Sequence, residues 1–285
     1  MRQNLAELGI SHSQVEKLQE IPFERLIAAL VPAQKKAGPS SSWFDRYDFG
    51  PVVDGVVLPD HPFDPVAPAV SADVPVLVGG VKDEMALYLA PDDKIWNRTL
   101  TEDELRARIA LVAGDYTDRA FDSYRRLFPD ATPSDRLITI LTDSNHRLRS
   151  ITLAERKVAQ NRGPVWLYSF DWETPLFGGK LKAFHGIDVP FVFETVDAVD
   201  STGRDAGAYD LARRVAATWT TFARTSKPDN DAIPHWPAYK CPTARPSSLT
   251  ANAASKTITA MTSGCCGRKL PTRDEPRIRF GNCCS

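Results

Sequence analysis

Two apolar runs, VPVLVGG at 74–80 and PVWLYSFDW at 164–172, predict an α/β fold. Neither run alternates polar with apolar residues, so each reads as a strand covered on both faces of a mostly parallel sheet. The long stretch between them and the stretch after the second have helical character, which makes the helices insertions around that sheet.

The helical elements follow from local signals. Ser13 and Glu16 have capping-box spacing, and Val15, Leu18, Leu26, Ile27 and Leu30 continue an apolar stripe over 13–30. Pro22 divides that stretch in two. FGPVVDGVVLPDHPFDP at 49–65 is punctuated by Pro and Gly and reads as a short hairpin or an irregular loop. Thr101 and Glu104 form a second capping-box pair and start a helix to about 112. Pro133 opens one or two long helices over 133–161. Leu211, Val215, Trp219 and Phe222 form one face of a helix over 206–226.

Composition excludes several classes. With 285 residues, 42% hydrophobic and 25% charged, the chain is neither fibrous nor disordered throughout. A net charge of −1 gives no bias toward nucleic acid or an anionic membrane. There is no run of 18 apolar residues that would cross a membrane. The N-terminus lacks the apolar core of a secretory signal, and the first 240 residues contain no cysteine, so a cytoplasmic setting is expected.

All five cysteines (Cys241, Cys265, Cys266, Cys283 and Cys284) fall in the last 45 residues. Residues 241–285 carry seven Lys/Arg against two Asp/Glu and one aromatic, Phe280, and read as a disordered tail. Their CC doublets lack the C-x₂-C spacing of a zinc site, so no metal is expected there.

Two residues stand where chemistry collects in α/β sheets, just beyond the carboxyl ends of strands. Glu84 follows the first strand in GGVKDEMALYL. It is placed to orient a histidine, or to serve only as a surface acid near a helix start, and Asp83 competes for either role. His185, in KLKAFHGIDVPFVF, follows the second strand through the loop FGGK and is a candidate general base. His12, His61, His146 and His235 sit in less persuasive settings, His146 within a helical stretch. Trp43, Phe44, Trp172 and Phe177 suit an acyl pocket and core packing equally.

Acid before histidine, each after a strand, is the order of serine hydrolases built on such sheets, where the serine comes first on a G-x-S-x-G turn. The 285 residues contain no G-x-S-x-G and no HGGG-type oxyanion loop. The cluster GPSSSW at 38–43 lacks the second glycine and a preceding strand.

Five collinear segments resemble one family. GPVVDGVVLP at 50–59, VPVLVGGVKDE at 74–84, VWLYSFDW at 165–172, AFHGIDVPFVF at 183–193 and WTTFARTSKPDN…IPHWPAY at 219–239 are similar to motifs of the type-B carboxylesterases, which include bacterial para-nitrobenzyl esterases and the cholinesterases. The resemblance covers about residues 1–240 and implies the C-terminal half of an α/β-hydrolase domain. It implies Glu84 as catalytic acid and His185 as base, acting on a small carboxylic ester without cofactor or metal. The serine and the oxyanion loop would come from an N-terminal half, either preceding this sequence or separately encoded. The alternative is a catalytically inactive product of a truncated or split gene. After Tyr239 the sequence departs from the family, as a shifted reading frame would make it do.

Overall fold

The computed structural model describes residues 2–37, 51–240 and 258–261. They divide into two units, Met1–Asp60 and His61–Ser285. The segment at 38–43, Trp43, Phe44 and all five cysteines lie outside the described residues.

In the first unit, α1 (Arg2–Glu7) packs on α2 (Phe23–Ala37), with a 3₁₀ helix over His12–Glu20 between them. The break falls before Pro22, where Ile21 is extended at φ −88° and ψ 128°. That conformation is the one the residue before a proline prefers. The capping pair is Ser11 and Gln14 rather than Ser13 and Glu16, with Ser11 N–H donating to Gln14 Oε1 at 3.3 Å. The DG of the 51–60 segment makes a side-chain-closed turn rather than a hairpin. Asp54 Oδ1 accepts the N–H groups of Val56, Val57 and Leu58 at 2.9, 2.9 and 3.0 Å, which holds its carboxyl below the usual range.

The second unit is built on β1 (Val76–Val81), β2 (Val165–Phe170) and β3 (Ile258–Met261), in that spatial order. β1 and β2 are parallel, paired from Val76↔Val165 to Val81↔Phe170, and β3 joins β2 antiparallel. Between the first two strands run α3 (Met85–Leu89), α4 (Asp93–Trp96), α5 (Glu102–Ala113), α6 (Thr117–Leu127), α7 (Pro133–Thr142), a π-helical turn (Asp143–Arg147) and α8 (Leu148–Val158). After β2 come α9 (Val189–Val192) and α10 (Ala206–Thr225). Strand residues 258–261 lie inside the segment read as a disordered tail. The rest of 241–285 is outside the described residues.

The period of two along β2 sorts its side chains into two layers. Val165 and Leu167 face α8 through Ala154, Ile151 and Val158. Trp166, Tyr168 and Phe170 take the opposite face, with ring centroids 5.8 Å from Phe222, 5.1 Å from Trp219 and 5.1 Å from Phe191 respectively. Helices therefore cover both faces of the sheet, and β2 is buried along most of its length. β1 departs from the expectation of full burial, since only Val81 of its six residues is buried. Gly79 and Gly80 contribute no side chain, and among the described residues β1 is paired on one edge only.

A second core of Ile95, Leu105, Ile109, Phe121, Leu137 and Ile138 joins α4, α5, α6 and α7 into a helical layer beside the strand ends. The Thr101–Glu104 box forms as its spacing predicts, with Thr101 N–H donating to Glu104 Oε2 at 3.0 Å and Glu104 N–H to Thr101 Oγ1 at 3.3 Å. The W-P-x-Y segment closes on the start of β2. Tyr239 N–H donates to Val165 O at 2.7 Å, and Trp166 Nε1 to Trp236 O at 3.0 Å. Among the described residues no helix is long and apolar enough to cross a membrane.

Candidate active site

Glu84 ends the tight turn that follows β1 and stands at the start of α3, only 5% exposed. A carboxylate so deeply buried needs strong partners. Its Oε1 accepts the Val81 N–H at 2.9 Å, so the side chain folds back onto its own strand. That return path crosses Gly80, where a Cβ would lie 2.6 Å from Oε1. The neighbouring Met85 N–H donates to the buried Thr142 Oγ1 at 3.2 Å, fixing the turn against the end of α7.

The other oxygen, Glu84 Oε2, lies 2.6 Å from His185 Nδ1. His185 sits in the loop after β2, in a turn closed by Ile187 N–H donating to Phe184 O at 3.1 Å. Gly186 holds the third place of that turn at φ 84°, a conformation that costs glycine little. The histidine side chain is 46% exposed, with one side open to solvent. Its ring lies 5.3 Å from that of Tyr88 and 5.7 Å from that of His146.

Asp83 does not compete for His185. Its backbone N–H donates to Ala183 O at 3.0 Å, and its Oδ2 accepts the Ala183 N–H at 3.4 Å. The two loops are therefore clamped in both directions one residue before the acid and two before the histidine. Burial raises the Asp83 carboxyl pKa, and the ammonium groups of Lys82 and Lys182 counter part of that rise.

Three neighbours carry no sequence signal of their own. His146 lies on the π turn between α7 and α8, where Leu148 N–H reaches back to Asp143 O. Turns of this kind carry an extra residue and recur at functional sites. Burial pushes the His146 imidazole pKa down, the Glu84 carboxylate opposes that shift, and His185 and Arg149 add to it. Asp188 and Tyr168 lie close enough to the pair for its charges to act on them. Burial raises both their pKa values, and the Glu84 charge adds to each.

Trp172 belongs to the core, its ring 5.4 Å from Phe191. Phe177 is 61% exposed and meets Trp96 edge-on at 5.4 Å. His235 is engaged elsewhere, its Nδ1 3.1 Å from Asp229 Oδ1, and His12 belongs to the first unit.

A buried carboxylate bonded to one imidazole nitrogen leaves the other nitrogen available to take or give a proton. An acid and an imidazole joined in this way can serve as the orienting half of a nucleophilic triad.

Comparison with known proteins identifies the family and the fold. The chain is 27% identical over 238 residues to a para-nitrobenzyl esterase of Bacillus subtilis, covering 82% of this chain and 45% of that protein. It is 31% identical over 248 residues to a fumonisin B1 esterase of Sphingopyxis macrogoltabida, covering 83% and 42%. A crystal structure of a Geobacillus stearothermophilus carboxylesterase superimposes with a TM-score of 0.64 at 31% identity, over 84% of this chain and 47% of that one. The fold is thus a portion of the α/β-hydrolase domain, and the chain spans about half the length of the curated relatives it matches. The model of the carboxylesterase family matches residues 3–264, beyond the last of the five motifs, and the chain belongs to that family.

Proposed function

We propose that Glu84 and His185 are the acid and the general base of a carboxylic-ester hydrolase whose serine nucleophile comes from outside these 285 residues. The observation that carries this reading is the 2.6 Å bond between His185 Nδ1 and the buried Glu84 carboxylate. His185 takes the serine proton through Nε2 as the serine attacks the ester carbonyl, then returns it to the departing alkoxide. In the second step it takes a proton from water as the water attacks the acyl-serine, and returns it to the serine oxygen as the acid is released. Glu84 holds the Nδ1–H tautomer and stabilises the imidazolium formed in each step. No cofactor enters this scheme.

Residues 1–240 are, in this reading, the C-terminal half of the hydrolase domain. The completing half supplies the serine elbow and the oxyanion donors, whether it is joined in one polypeptide or separately encoded. Among the described residues β1 is paired on one edge only, and a strand edge left open in this way is a template for another strand, which supports such a partner.

The test is hydrolysis of para-nitrophenyl esters by the purified chain, alone and completed by an N-terminal half carrying a G-x-S-x-G elbow. Alone, it shows no hydrolysis that depends on His185. Completed, it hydrolyses the ester, and His185→Ala abolishes the gain. A completed and folded enzyme whose rate is indifferent to His185 overturns the proposal.

A further inference from the structure

We propose that Glu84, His146 and His185 form a binding site for a divalent transition-metal ion of the zinc type. The site stands apart from the ester-hydrolase reading, because ion binding needs only these three side chains. It also departs from the expectation, based on the cysteine spacing, that the chain holds no metal.

The three residues come from three elements, namely the turn after β1, the π turn between α7 and α8, and the loop after β2. One ligand atom from each lies within 4.8 Å of the other two. Two imidazoles and one carboxylate suit zinc and its neighbours, whereas calcium and magnesium take oxygen donors. Ligands at about 2.0–2.2 Å from a tetrahedral ion stand about 3.3 Å apart, so the 2.6 Å contact between Glu84 and His185 must open, or His185 must present its other nitrogen, while the three ligand atoms settle from their 4.8 Å span. The movable member is His185, whose side chain is 46% exposed, while Glu84 is buried and His146 half-buried. An ion reaches the site from that exposed side.

Occupancy has a definite chemical consequence. The ion takes an imidazole lone pair of His185, or displaces the proton that now joins Nδ1 to Glu84. Either change ends its service as a proton acceptor, so metal binding and base action at His185 exclude each other.

The experiment is a Zn²⁺ titration of the full chain followed by NMR of its histidine rings, which separates this site from any binding by the cysteines. We expect the His146 and His185 ring signals to change together at one equivalent, with His12, His61 and His235 unmoved, and EDTA to reverse the change. His146→Phe keeps an aromatic ring in place and removes the ligand, and it should weaken the effect at His185 at least about tenfold. If that variant does not fold, Glu84→Gln replaces it and should weaken binding likewise. The proposal fails if Zn²⁺ leaves the two rings unperturbed, or if a folded His146→Phe or Glu84→Gln chain binds at His185 as tightly as the parent.

Discussion

His185 Nδ1 and Glu84 Oε2 meet at 2.6 Å across 101 residues of sequence, one partner exposed and the other buried. A charge-assisted bond of this length deshields its proton. The His185 Nδ1 proton should therefore appear far downfield in the ¹H spectrum of the chain alone. Glu84→Ala should remove that signal, and Glu84→Gln should move it upfield. In the completed enzyme the loss of the acid should lower kcat by about 10³–10⁴-fold.

Gly80→Ala tests the route by which Glu84 reaches Val81. A Cβ there would meet Oε1 at 2.6 Å, so the carboxylate must leave the Val81 N–H. The expected loss is about 1–3 kcal/mol in urea denaturation, the scale of a bond to a charged acceptor. The downfield His185 proton should shift with it, whereas a purely structural effect of the methyl would leave that signal in place.

Lys157 anchors α8 to the approach to β1. It is fully buried, and its Nζ donates to Ser71 O and Ala72 O, both at 2.5 Å, and to Gln160 Oε1 at 3.2 Å. Lys157→Met keeps the packed stem and removes the donors. We expect a loss of about 1–3 kcal/mol by chemical denaturation, with the His185 proton signal retained.

Glu155, next to Ala154 on α8, supplies a pH test. Burial raises its carboxyl pKa, and Oε1 makes no hydrogen bond. The folded chain therefore holds this proton to higher pH than the unfolded chain does. Its contribution to stability falls as pH rises from the ordinary glutamate range through the raised folded value. Glu155→Gln should be more stable than the parent at neutral pH, and the difference should vanish below the ordinary glutamate range. Thermal unfolding across that interval measures both.

What the sequence disclosed and what it withheld have separate physical origins. Strands β1 and β2 were legible because runs such as VWLYSF leave little choice but a covered strand, and Glu84 and His185 were legible because each follows one. Thr101 announced its helix through a side chain that bonds within four residues. Local signals of that kind survive without tertiary context. His146 had none, because its approach to His185 depends on the extra residue of the π turn, and a 3.6-residue periodicity contains no such residue. The pKa values of Asp188 and Tyr168 are raised first by burial and then by neighbouring carboxylates, Glu84 among them, which only the folded chain brings together. The pairing of 258–261 on β2 was equally hidden, within a segment whose composition signals no core.

The two-way bond between Asp83 and Ala183 has a consequence for assembly. It ties the acid loop to the histidine loop through one main-chain bond and one bond to the Asp83 carboxylate, independently of any contact His185 makes. The dyad is thus a single rigid fitting, complete before a nucleophile arrives. If the proposed function holds, a segment bearing the serine has only to align with it. On that reading the remaining precision lies in placing the serine, and an error there would leave acid and base in register.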